Sequence, residues 1–204
     1  MPTRFKPPIA GKLETDRRWE QGAWIFLVSL TVFFLACMIL YAIYVALRLN
    51  RPGEPVQPFW LPPLFVLTTV ILVAISTLLH LAVLAVRCER HADLARYMVL
   101  SFLLALSFFV IQGTALSQMI ERMEQPGPAM RNLYGMTFFL VIVHALHVLG
   151  GVAGMVFVLF GIRRKAYDHE RNFPVRFCAM YWHFLDVVWI IMLISFSFAA
   201  AISK

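Results

Sequence analysis

The chain is 204 residues long, 61% hydrophobic and only 14% charged. A soluble domain carries about 25% charged residues, so these figures exclude one and leave a polytopic membrane protein. The net charge of +7 does not mark nucleic-acid binding, because the basic residues sit in the connections between apolar runs, where they act on topology and lipid headgroups.

Five apolar runs are long enough to cross a bilayer. The first is expected over about Ala23 to Leu47, after a polar N-terminal segment 1–22, and it is too long for a signal-peptide core. It stops at "RLNRPGEPVQP", whose prolines and glycine forbid continuation. The second is expected over about 59–86, with Trp60 at the interface and Pro62 and Pro63 in a first turn whose N–H groups have no helical partner. The third covers about Leu94 to Met119, the fourth about Tyr134 to Ile162, and the fifth about Phe177 to Ile202. The predicted fold class is therefore all-α, a five-helix transmembrane bundle over 23–204.

Basic residues orient it. Arg4, Lys6, Lys12, Arg17 and Arg18 precede the first run, Arg87, Arg90 and Arg96 follow the second, and Arg163, Arg164, Lys165, Arg171 and Arg176 follow the fourth. The opposite side holds only Arg48, Arg51, Arg122, Arg131 and Lys204. By the positive-inside rule the N-terminus is cytoplasmic and the C-terminus outside. Arg17, Arg18, Trp19, Arg163 and Arg164 are then candidate lipid-headgroup contacts. An odd number of spans, without a repeat or a mid-span proline, argues against a transporter built from paired repeats. Cys37, Cys88 and Cys178 are scattered, form no CxxC, and read as small packing residues.

The polar groups inside the runs carry the remaining information. His80 and Gln112 each read as a packing hydrogen bond. In the fourth run His144 and His147 are i,i+3 and share a face. Two axial haem ligands approach a porphyrin from opposite sides, so this pair is badly placed for one haem, and no carboxylate or cysteine accompanies it as a metal ligand. Behind it, Gly150 and Gly154 form a small-xxx-small pair, with Gly151 beside them, which favours close helix packing. In the fifth run His183 and Asp186 share a face, with Trp182 and Trp189 beside them. A carboxylate in lipid costs about 2.5–3.5 kcal/mol at a helix centre, so Asp186 and His183 are expected to meet His144 or His147 across the interface of the last two helices. That seam, with Gln112 as a further polar point, reads as interhelical hydrogen bonding, with a proton relay as the sharper alternative. No phosphate loop or nucleophile–base arrangement accompanies it.

The strings themselves go further. "YWHFLDVVWI" resembles the last-helix signature Y-W-H-F-V-D-V-V-W of subunit III of haem–copper oxidases, and "HALHVLGG" resembles that family's H-G-L-H-V-x-x-G. Phe108 and Gln112 match the start of F-x-x-x-Q-x-x-E-Y, and "FLVSLTVFFLACMILYAIY" is similar to the first-helix pattern F-L-x-S-E-x-M-F-F-A-G-L-F-x-x-Y. The resemblance extends over all five spans and agrees with bacterial five-helix members. Family glutamates fall here on Leu30, Ala115 and Arg176, so any role of those glutamates is absent.

The resemblance implies a subunit without a redox cofactor of its own, next to catalytic subunit I and subunit II, which hold haem and copper. It also implies bound phospholipid and support of proton uptake in a bacterial cytoplasmic membrane. The partner subunit of a quinol oxidase or a nitric oxide reductase shares the fold. A stand-alone proton or ion carrier and a small membrane cytochrome are the readings from other classes.

Overall fold

The structure, a computed structural model, describes residues 10–49, 61–123, 128–167 and 171–202, with side chains over 18–47, 61–121, 133–167 and 171–202. Among them are five α-helices and no strand: α1 (Ala10–Leu49), α2 (Leu64–Arg87), α3 (His91–Met123), α4 (Pro128–Arg163) and α5 (Phe173–Ile202). All five are long and apolar enough to cross a membrane.

The helices outrun the apolar segments that announce them. α1 begins at Ala10 rather than near Ala23, so Arg17, Arg18 and Trp19 lie on its first turns and not in an irregular tail. α3 starts at His91, α4 at Pro128 and α5 at Phe173, each ahead of its hydropathic boundary. Hydropathy marks the part of a helix that sits in hydrocarbon about 30 Å thick, whereas the hydrogen-bonded spiral continues into the headgroup layer. At 1.5 Å per residue, the 40 residues of α1 span about 60 Å. α2 is the opposite case, starting at Leu64; positions 59 and 60, including Trp60, lie outside the described residues. Phe65 and Val66 donate their backbone N–H groups to the carbonyls of Pro62 and Pro63, so the two prolines initiate the helix instead of joining it.

α2 and α4 end the same way, and neither uses glycine. Beyond α2, Cys88 N–H bonds Leu84 O, Glu89 N–H bonds Val86 O and Arg90 N–H bonds Ala85 O. Beyond α4, Arg164, Lys165 and Ala166 repeat that ladder onto Phe160, Ile162 and Gly161. The reversal needs one residue in the left-handed region, supplied by Glu89 (φ 56) and Lys165 (φ 52). These caps satisfy carbonyls that the last turn leaves without partners. In the α2–α3 turn Asp93 lies within 3.7 Å of Arg90 and 3.5 Å of Arg96, a surface cluster whose acidic member suits a helix N-terminus. Tyr167 folds back beneath the second cap, where a Cβ on Gly161 would collide with its hydroxyl. Only glycine admits the ring there.

α2, α3, α4 and α5 close into a ring in that order, α5 returning to α2, and among the described residues α1 leans from outside on α4 and α5 alone. The centre follows from helical spacing. On α3 the buried stripe is Leu94, Met98, Ser101, Ala105, Phe108, Gln112, Ala115 and Met119, steps of three and four that keep one face inward. On α2, Phe65, Leu72, Leu79 and Val86 recur every seventh residue. The outward faces are apolar too, as at Val70, Leu103, Phe157 and Ile194, as expected where lipid is the solvent. Ser29, Thr77, Thr114 and Ser117 are exposed on those faces, and each hydroxyl donates to a carbonyl of its own helix, which removes the cost of placing it in lipid.

Candidate functional site

The polar seam forms between α5 and α2, and α4 is not a direct party to it. His183 and Asp186, one turn apart on α5, face Ser76 on α2. His183 Nδ1 and Ser76 Oγ form a hydrogen bond, and the Asp186 carboxyl lies beside that hydroxyl. A hydroxyl has one proton to give and two lone pairs to receive. One orientation would serve all three groups, with His183 N–H donating to Ser76 and the Ser76 O–H turned towards Asp186. His80 stands one turn along α2 from Ser76, with its ring 6.3 Å from that of His183. Asp186 is 7% exposed, and its Oδ1 has no hydrogen-bond partner among the described residues.

The expected meeting of Asp186 with His144 or His147 is not what the structure shows. His147 turns towards α1, its ring 4.9 Å from that of Phe34, and its Nδ1 lies 2.7 Å from the Val143 carbonyl oxygen. A carbonyl only accepts, so Nδ1 carries the proton and the imidazole is held against its own helix. His144 is fully buried and lies against Trp189, with ring centres 5.1 Å apart. Both its nitrogens lack a hydrogen-bond partner among the described residues. An i,i+3 pair shares a face, but the two turns of α4 meet it differently: His144 lies between Phe34 of α1 and Trp189 of α5, while His147 packs on Phe34 and Phe33 of α1. Gln112 stays on the buried stripe of α3, and neither amide atom has a hydrogen-bond partner among the described residues.

Trp189 ties three elements together. Its indole N–H donates to Thr69 Oγ1 at 2.8 Å, its ring meets Phe65 edge-on at 5.5 Å, and its other side faces His144. Tyr181 donates its hydroxyl to the His147 carbonyl at 2.9 Å, joining α5 to α4. The glycines act differently from the expected small-xxx-small contact. A Cβ on Gly154 would touch nothing and one on Gly150 would meet only the Tyr181 hydroxyl at 3.4 Å, whereas one on Gly151 would come within 3.0 Å of the Trp182 indole. Gly151 makes room for a side chain rather than a backbone.

Of the candidate headgroup residues, Arg18, Trp19, Arg163 and Arg164 are exposed at the basic end of the bundle, and the side chain of Arg17 lies outside the described set. At that end Arg176 of α5 pairs with Glu20 of α1 at 3.0 Å. Ala115 is fully buried on the α3 stripe, and Leu30 packs against the core from α1. Two positions where the resembling family has glutamate are thus apolar packing, and the third is a cation in an interhelical pair. Among the described residues no group of three or more His, Cys, Asp or Glu gathers as a metal site. Ser76, Thr69 and Glu20 escaped notice in the sequence. For Ser76 the available signal was its i,i+4 spacing from His80, which puts both on one face of α2.

The comparisons with known proteins agree with one another. The family model described as cytochrome c oxidase subunit III matches residues 14–201. A relative from Aedes aegypti named cytochrome c oxidase subunit 3 is 29% identical over 189 residues, 87% of this chain and 67% of its own length. The protein of that name from Synechocystis is 28% identical over 177 residues, covering 85% and 72%. Cytochrome bo(3) ubiquinol oxidase subunit 3 from Pseudomonas aeruginosa is 28% identical over 170 residues, covering 83% and 79%. With nearly every residue of the five spans inside the matched range, the chain belongs to the cytochrome c oxidase subunit III family of multi-pass membrane proteins.

Proposed function

We propose that the chain is a non-catalytic accessory subunit of a proton-pumping terminal oxidase that reduces oxygen to water. In this reading it braces catalytic subunit I beside subunit II, holds phospholipid and supports proton uptake in a bacterial cytoplasmic membrane. Haem and copper belong to the partner subunits. The family match over residues 14–201 carries the proposal. Packing supports the division of labour at His144, which is fully buried between Phe34 and Trp189 and leaves no room for a porphyrin at its ring. The Pseudomonas aeruginosa relative is a quinol oxidase subunit as similar to this chain as the Synechocystis one, which keeps a quinol-oxidising complex as the second reading.

The test is copurification. Extracted in mild detergent, the chain should comigrate with a larger haem-containing protein, and after separation the isolated polypeptide should show no haem absorption. A stoichiometric haem on the separated chain, or a wild-type chain that migrates free of any haem protein, would sink the reading.

Orientation follows from the clustered arginines, with the ends of α2 and α4 and the start of α5 on the cytoplasmic side and segment 1–22 with them. Arg18, Trp19, Arg163 and Arg164 then meet cytoplasmic-leaflet headgroups. A reporter fused after Arg164 should be active in the cytoplasm and one fused after Lys204 outside. Both reporters active on one side would overturn the orientation.

A further inference from the structure

One imidazole is out of place in this bundle. His80 is exposed on α2, seven residues before the helix ends at Arg87, which puts it about 10 Å inside that end at 1.5 Å per residue. That position is inside the apolar span Leu64–Arg87. The exposed hydroxyls of the spans satisfy themselves on their own helices, as does His147. His80 makes no such bond among the described residues, and its neighbour is the ring of His183, whose Nδ1 is already taken by Ser76. Lipid chains offer nothing to an imidazole, and polar side chains within membranes face protein or water. The rest of this face of α2, at Val73, Thr77 and Leu84, is exposed and apolar or self-satisfied. α1 also presents a long exposed face, at Val32, Leu35 and Ile39, but nothing polar there needs a partner.

We propose that the α2–α5 face centred on His80 docks against a transmembrane segment of the haem-bearing subunit, which supplies a hydrogen-bonding side chain or free carbonyl to the imidazole. This rests on the accessory-subunit reading and adds to it the face and the chemistry of contact. The Ser76–His183–Asp186 chain then lies directly behind the interface, and the long face of α1 is left to lipid. An interhelical hydrogen bond at hydrocarbon depth adds to the packing that otherwise drives association there.

The experiment uses the intact complex in native membranes. A photo-reactive residue is placed at Thr77 or Leu84 on α2, or at Val32 or Ile39 on α1, and the adducts are identified by mass. The α2 positions should yield adducts with the haem-bearing polypeptide, and the α1 positions adducts with lipid. Lipid adducts alone at α2, adducts to a second copy of this chain, or equal capture of the haem protein from both faces would overturn the assignment. His80→Leu should lower retention of the chain by about threefold to tenfold, with His80→Gln retained better. Equal retention of wild type and His80→Leu would refute the hydrogen bond. The two readings fail separately. A wild-type chain that never copurifies with haem defeats the oxidase reading, while capture of some other membrane polypeptide at Thr77 by a chain that does copurify with haem overturns the docking assignment alone.

Discussion

Trp189→Ala should cause one of the largest losses of stability available to a single substitution in this bundle. The residue is 1% exposed and touches three groups at once: the Thr69 hydroxyl, the Phe65 ring and the His144 ring. Truncating a buried tryptophan costs about 3–5 kcal/mol in well-packed cores. Lipid does not lessen this, because helix association in a bilayer depends on the dispersion contacts that a cavity forfeits. Trp189→Phe keeps most of the volume and loses the N–H bond, worth about 0.6 kcal/mol on average in a membrane. The measurement is the temperature at which the detergent-solubilised complex loses this chain, with Thr69→Val as the partner mutation. The alanine variant should dissociate well below wild type. The phenylalanine and valine variants should sit close to each other and to their double mutant, since both remove the same bond. An alanine variant as heat-stable as wild type would mean that the ring of α2, α4 and α5 is not held where these contacts place it.

The five helices were legible in the sequence because hydropathy reports a solvent, and the solvent of these segments is hydrocarbon. The helix ends were not legible in the same way. The first turns of α1 and α3 are polar yet helical, and the caps at Glu89 and Lys165 do without the glycine that usually announces one. The seam was half legible. Spacing put His183 and Asp186 on one face, but spacing within a helix does not say which neighbour that face meets. Chemistry alone points to His144 and His147 as partners, and the packing gives the role to Ser76 instead. Serine is an inconspicuous residue in a membrane helix, since its hydroxyl ordinarily bonds its own backbone. That of Ser76 reaches across to another helix. The long-range family resemblance rested on the strings around His144 and His183, which hold the aromatic and glycine positions that shape the α4–α5 contact.

Asp186 supplies the sharpest separation of roles. If it acts as the terminal acceptor of the chain from His183 through Ser76, Asp186→Ala leaves the Ser76 hydroxyl without its acceptor in a buried site. Stranding a buried polar group costs about 1–3 kcal/mol, tempered in membranes by alternative partners. Asp186→Asn keeps an oxygen for Ser76 and should retain most of the chain in the complex, and Ser76→Ala should fall between the two. If Asp186 instead carries protons, alanine and asparagine should be equally harmful to proton uptake, because both abolish ionisation, and assembly should be normal in each. Retention of this chain is measured beside oxygen consumption and proton release for the three variants. We expect retention to separate alanine from asparagine and proton release per electron to follow retention. Full assembly with proton uptake lost equally in Asp186→Ala and Asp186→Asn would overturn the structural role and make the carboxylate a conducting group. A pattern in which Ser76→Ala alone is harmless would show instead that neither His183 nor Asp186 depends on the hydroxyl and that Asp186 finds its partner on another subunit.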